Sequence, residues 1–208
     1  KLHFGLDAIY SPAWSPDGAR LAFVGIESGL SSLRITSIDG KTNETLLSGL
    51  HALRDPSWSP DGSKLVFLTD EGEGTDLRRL VFAPLRLAIY DLATKSVTVP
   101  PGQLGQNTSP QWSPDGRSLL FVSDRTGISN LYRLDLATGR SIRVTNLLSG
   151  ISGLVPESPA VSVSRDGRRI VFTAFHRGGW DIYSVRDPKR MLDTPASWTP
   201  SLADPPSP

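Results

Sequence analysis

Cysteine is missing from all 208 positions. That excludes disulfides and thiolate metal sites, yet it does not assign a compartment, because envelope and cytosolic chains alike can lack the residue. Histidine is scarce: His3, His51 and His176 stand apart, with no His-x-x-x-His or His-Glu spacing of the kind that builds a metal site. No apolar run is long enough to cross a bilayer as a helix. Charge of one sign is also lacking. Lys and Arg total 22 against 21 Asp and Glu, a net charge of +1 without a basic run, so nothing marks a nucleic-acid or acidic-membrane surface. A Gly-x-Ser-x-Gly nucleophile elbow is absent; Ser152 in Gly150-Ile151-Ser152-Gly153 lacks its spacing. The expectation is a chain with no catalytic motif, no metal and no cofactor. No secretory signal peptide is visible, and the abrupt start at Lys1 reads as a processed or truncated N-terminus.

What the chain has is repetition. Trp14-Ser15-Pro16-Asp17-Gly18 returns as Trp58-Ser59-Pro60-Asp61-Gly62 and as Trp112-Ser113-Pro114-Asp115-Gly116, with a worn copy at Val163-Ser164-Arg165-Asp166-Gly167. Ser-Pro-Asp-Gly spells a tight turn: Pro presets φ at the second position, Asp suits the third, and Gly supplies a left-handed backbone. The flanking residues are strand-like. Leu21, Leu65, Leu119 and Ile170 stand four residues after each Asp, and Phe23, Phe67, Phe121 and Phe172 stand six after, which puts each pair on one face of a strand. A third strand follows around Leu33-Arg34, Leu87-Ala88, Leu131-Tyr132 and Ile182-Tyr183, and a fourth at residues 44–47, 96–99 and 141–145.

The Asp17-to-Asp61 period is 44 residues, Asp61-to-Asp115 is 54 and Asp115-to-Asp166 is 51. The second interval carries an insertion at about residues 70–84, the third an excess at about 146–158. A four-stranded unit of this length is a propeller blade. The fold class is therefore all-β, a β-propeller with four recognisable blades at about 11–50, 51–105, 106–150 and 151–186. It is either a closed four-bladed ring or part of a larger one. Residues 1–10 hold a candidate closing strand, whose residues 2–5 would pair with the strand around Tyr183 if the ring closes at four. Residues 191–208 form a Pro-rich tail.

The repeated pentapeptide itself has an acid, a hydroxyl and an aromatic ring, but recurrence gives it a structural role. Asp17, Asp61, Asp115 and Asp166 are turn residues with Gly18, Gly62, Gly116 and Gly167, and Trp14, Trp58 and Trp112 are inter-blade or channel-lining anchors rather than carbohydrate platforms. Glu71, Glu73 and Asp76 lack a calcium-loop pattern and read as a solvated loop. Recognition in propellers belongs to loops on a rigid scaffold. The candidate partner-binding residues are thus His51, Arg54, Asp55, Asn107 and Glu157 in the connections entering the inner strands, and Leu77, Arg78, Arg79 and Phe82 in the insertion. The insertion either lengthens its two strands or forms a contact surface.

The hairpin Ser109-Pro110-Gln111-Trp112-Ser113-Pro114-Asp115-Gly116-Arg117-Ser118-Leu119-Leu120-Phe121-Val122-Ser123-Asp124-Arg125, with Asn130-Leu131-Tyr132, resembles the TolB-type, WD-like propeller repeat. About residues 11–186 can be laid over four such repeats. The resemblance implies a six-bladed parent fold, a departure from the four repeats here; the fourth copy departs further, with Val163 for Trp and Arg165 for Pro. It also implies a non-catalytic scaffold that binds other proteins, envelope or membrane-complex subunits, in the periplasm or another extracytoplasmic space. Two other functions are compatible with the same repeat class: the substrate-gating propeller of a prolyl-oligopeptidase-like hydrolase, and a structural subunit of a large membrane assembly.

Overall fold

The computed structural model describes residues 4–153 and 158–188. Fifteen strands fall into four antiparallel sheets. Blade one contains β1 (Ala8–Trp14), β2 (Arg20–Glu27), β3 (Leu30–Ser37) and β4 (Asn43–Gly49). Blade two contains β5 (Leu53–Trp58), β6 (Lys64–Thr69), β7 (Arg86–Asp91) and β8 (Ser96–Thr98). Blade three contains β9 (Asn107–Trp112), β10 (Ser118–Ser123), β11 (Asn130–Asp135) and β12 (Ser141–Arg143). Blade four has three strands, β13 (Val161–Val163), β14 (Arg169–His176) and β15 (Gly179–Arg186). Each sheet is a simple meander in chain order.

The repeated pentapeptide makes the β1–β2, β5–β6, β9–β10 and β13–β14 turns. In the first, the Gly18 amide donates to the Ser15 carbonyl at 2.9 Å. The Ser15 hydroxyl donates to the Asp17 carboxylate at 2.5 Å, which also accepts from the Ala19 amide at 3.0 Å. The same hydroxyl-to-carboxylate bond measures 2.6 Å at Ser59–Asp61, Ser113–Asp115 and Ser164–Asp166. Hydrogen bonds that favour the ionised form lower a carboxyl pKa. The Ser59 hydroxyl, then the Ser63 amide and hydroxyl, bring Asp61 down to about 2. Asp17, Asp115 and Asp166 are lowered for the same first reason, the serine two residues earlier.

Alternation along the strands gives each blade two apolar faces, and the blades bury them against one another. Ala22, Val24, Leu33 and Ile35 of blade one meet Leu65, Phe67, Ala88 and Tyr90 of blade two. On its other face blade two applies Val66, Leu68 and Leu87 to Leu119, Phe121, Tyr132 and Leu134 of blade three. Blade three applies Leu120, Val122 and Leu131 to Ile170 and Phe172 of blade four. Two smaller devices repeat at these joints. The Trp58 indole donates to the Ala13 carbonyl and the Trp112 indole to the Ser57 carbonyl, both at 3.1 Å. Each turn proline also leans on the next turn's glycine: a Cβ on Gly62 would lie 3.7 Å from Pro16, on Gly116 3.8 Å from Pro60, and on Gly167 2.8 Å from Pro114.

Closure at four blades is not what the described residues show. No apolar cluster joins blade four to blade one among them. Leu2 and His3 of the candidate closing strand lie outside the described residues, as does the Pro-rich tail. Phe4 turns toward blade one instead, its ring 5.0 Å from that of Phe23. The Asp7 amide bonds the Ile26 carbonyl, so the strand entering blade one begins earlier than the turn-based boundary implied. The insertion does not lengthen its strands either: β6 and β7 keep six residues each.

Candidate functional site

Two features of the fold are open to a partner. The first is an open channel of about 870 Å³ lined by the inner strands β1, β5, β9 and β13 and by the turn residues Pro16, Pro60 and Pro114. Its wall repeats a bend that recurrence of the turn alone did not reveal. Ser11, Asp55 and Ser109 take φ of 52°, 49° and 51°, each immediately before a proline. Pairing register breaks at these residues in all three blades, the signature of a bulge. The Ser11 hydroxyl donates to the Asp55 carboxylate at 2.9 Å, and the Ser109 hydroxyl accepts from the Ala160 amide at 3.1 Å, so the bends are bonded from blade to blade. Gln111, Ser162 and Arg165 add polar groups to the lining. The signal was present in the sequence: Ser-Pro, Asp-Pro and Ser-Pro recur six residues before Asp17, Asp61 and Asp115.

The second feature is the insertion of blade two. It joins a second strand to a third, so alternation of strand direction puts it on the same face as the connections that enter the inner strands. Its base is stitched to those connections. Asp70 accepts from the Ala52 amide at 2.7 Å, Leu85 donates to Gln106 at 3.0 Å, and the Asn107 side-chain amide donates to the Leu85 carbonyl at 2.9 Å. Within the insertion, the Asp76 and Val81 amides exchange bonds with each other's carbonyls at 2.9 and 3.0 Å. The Asp76 carboxylate accepts from the Arg78 and Arg79 amides, and the Arg86 guanidinium bonds the Glu71 carbonyl. The product is a small, internally bonded hairpin. Leu80 in its turn, Val81 opposite Asp76 and Phe82 just after are 74%, 51% and 60% exposed.

The candidate binding residues divide accordingly. Phe82, Arg78 and Arg79 are exposed, Arg79 pairing with Asp76 at 3.6 Å, while Leu77 is half-buried. His51 sits at the entrance to β5, its ring 3.8 Å from Asp70. Arg54 is half-buried in β5 and Asp55 lines the channel. Asn107 is fully buried, its amide engaged by the Leu85 carbonyl, so it holds the scaffold rather than facing solvent. Glu157 lies outside the described residues. The apolar run Leu77, Leu80, Val81 and Phe82 was readable in the sequence as a contact surface, but sequence reasoning passed over Arg125, whose guanidinium lies 4.7 Å from the Tyr132 ring centroid and 5.3 Å from that of Phe121. Burial depresses the Arg125 pKa. Among the described residues no three His, Asp or Glu side chains are grouped as metal ligands.

The family model described as the TolB beta propeller domain matches residues 4–194. The chain belongs to that family. The Tol-Pal system protein TolB of Bordetella pertussis is 37% identical over 144 residues, 64% of this chain and 28% of that protein. The crystal structure of TolB from Acinetobacter baumannii superposes with a TM-score of 0.73 at 26% identity, over 87% of this chain and 41% of that one. A puromycin hydrolase superposes with a TM-score of 0.66 over 90% of this chain and 28% of that chain; at 20% identity this likeness concerns the fold alone. The TolB-type propeller described here thus spans 28% of the Bordetella relative's length.

Proposed function

We propose that this TolB-type propeller is a non-catalytic protein-binding module of an extracytoplasmic bacterial complex, and that its partner docks on the face carrying the blade-two insertion. The observation that carries the reading is the exposed apolar segment of the insertion. Three consecutive apolar side chains stand exposed on a hairpin whose backbone is held by its own hydrogen bonds and tied to both neighbouring connections. Exposed apolar groups on a rigid support lose little entropy on docking, which is what a protein interface favours. Arg78 and Arg79 supply a polar rim to that patch. Relatives named as Tol-Pal system proteins support an envelope partner over a soluble substrate.

The test is capture from a solubilised bacterial envelope fraction with purified chain, comparing the native protein with Phe82→Ser and the double variant Leu80→Ser, Phe82→Ser. The expected result is one or more envelope proteins retained by the native chain and lost from the variants, whose circular dichroism and melting stay native. Retention that is unchanged by the variants, or no retained envelope protein at all, would refute the reading.

A further inference from the structure

The turn between β10 and β11 holds a cation without a counter-charge. Arg125 is half-buried, with its guanidinium lying against the rings of Tyr132 and Phe121. Its Nε donates to the Ser123 hydroxyl at 3.2 Å, while Nη2 is buried with no acceptor among the described residues. Among those residues no carboxylate pairs with it. The neighbouring acid is engaged elsewhere: Asp124 accepts from the Gln106 amide at 2.7 Å. A guanidinium drawn partly out of water ordinarily takes an anion or a carbonyl in exchange. The aromatic faces offset part of that penalty. They also hold the planar fork in one place before any partner arrives.

The surroundings of Arg125 are apolar and open. Leu104, whose carbonyl accepts from the Ser123 hydroxyl at 3.2 Å, is 65% exposed, and Ile128 at the far end of the same turn is 38% exposed. Hydrogen bonds tie this turn to the blade-two insertion. Leu85, three residues after Phe82, donates to the Gln106 side chain at 3.0 Å, and the Gln106 amide is the group bonded to Asp124. The turn joins a second strand to a third, as the insertion does, so both lie on one face of the propeller. All of these groups belong to blades two and three, each of which packs against a blade on either side.

We infer that Arg125 is the charged anchor of the docking face and receives an Asp or Glu side chain of the protein partner, whose apolar neighbours cover Leu104 and Ile128. The inference rests on the docking reading above and adds its chemistry. An arginine held on aromatic rings and bordered by apolar side chains has the make-up of an interface hot spot. A carboxylate matches the guanidinium in shape as well as in sign. Burial lowers the Arg125 pKa, and an anion brought beside the cation opposes that shift.

The test uses the purified 208-residue chain to select from a phage-displayed library of random linear peptides, and the selected peptides are then made for binding titrations. They should carry Asp or Glu among apolar residues. Replacing that acid by its amide in the peptide should weaken binding to the native chain by about tenfold and leave binding to Arg125→Gln nearly unchanged. Arg125→Lys, which keeps the charge without the fork, should fall between the two. The peptide change is read on the native chain, so the result does not hinge on how a variant folds. The inference is overturned by selected peptides without an acid, by an acid whose loss weakens native chain and Arg125→Gln equally, or by no selection at all; the docking reading is judged separately by envelope capture. Peptides that need Phe82 but not Arg125 sink the anchor and leave the docking reading standing. Peptides that need Arg125 but bind Phe82→Ser unchanged sustain the anchor and remove the insertion from the docking face.

Discussion

The indole ladder permits a matched comparison within one molecule. Trp112→Phe keeps an aromatic ring at the joint of blades two and three but removes the N–H that bonds the Ser57 carbonyl at 3.1 Å. The smaller ring also leaves two carbons' worth of packing unfilled at a position 7% exposed. Two buried carbons at about 0.8 kcal/mol each and one net hydrogen bond at about 0.5–1.5 kcal/mol sum to about 2–3 kcal/mol. For a domain of this size that corresponds to a fall in Tm of about 5–10 °C. Trp14→Phe makes the identical chemical change where the ring is exposed and unbonded, and should cost less than about 0.5 kcal/mol. Melting followed by far-UV circular dichroism, which does not depend on the altered indole, measures both. The samples must be dilute enough that any self-association is dissolved. Equal losses for the two variants, or a loss below about 0.5 kcal/mol for Trp112→Phe, would show that the ladder does not hold the blades together.

Three further outcomes are expected. Leu68→Ala and Leu131→Ala, each fully buried between blades, should destabilise by about 2–5 kcal/mol in urea titrations, with no change in the folded spectrum. Because the turn carboxylates have folded pKa values below the unfolded value of about 3.9, their contribution is complete above pH 4 and is lost as pH falls through the folded values, Asp61 at about 2. Stability measured between pH 5 and pH 2 should therefore decline, and Asp61→Asn should remove part of the slope. Gly29→Ala, at φ +79° in open space, should cost about 1–2 kcal/mol. Gly105→Ala should cost clearly more in the same thermal melts, since its Cβ would lie 2.5 Å from the Asp124 carboxylate and 2.8 Å from the Arg125 amide.

The blade plan was legible because it is written in local chemistry four times over. A Ser-Pro-Asp-Gly turn fixes a hairpin wherever it occurs, and the Leu and Phe columns after it report which residues share a face. The position of the insertion, between the second and third strands of blade two, followed from the same columns. Its internal form did not, because the Asp76–Val81 hairpin is built from backbone bonds and an aspartate that could equally serve a strand extension. Trp14 shows a second limit. Its letter and its spacing match Trp58 and Trp112, and only the presence or absence of a neighbouring blade separates an exposed ring from a buried one. Asn107 shows a third: a polar residue entering a strand looks like a loop residue until the Leu85 carbonyl is found opposite it. The Ser11, Asp55 and Ser109 bends were available as a repeated residue-proline pair, but a left-handed φ before proline is not something the pair announces by itself.

The contact of each turn proline with the next turn's glycine gives the array a direction. Pro16 reaches Gly62, Pro60 reaches Gly116 and Pro114 reaches Gly167, and none reaches backward. A side chain placed on Gly167 is therefore felt twice, once as a strained turn in its own blade and once as a wedge against Pro114 of the blade before it, whereas at Gly62 and Gly116 the neighbouring proline lies at ordinary contact distance. A change at the proline is felt downstream instead. The spacing of blades three and four is thus limited beside the turn by the smallest residue in the repeat as well as in the core by the largest.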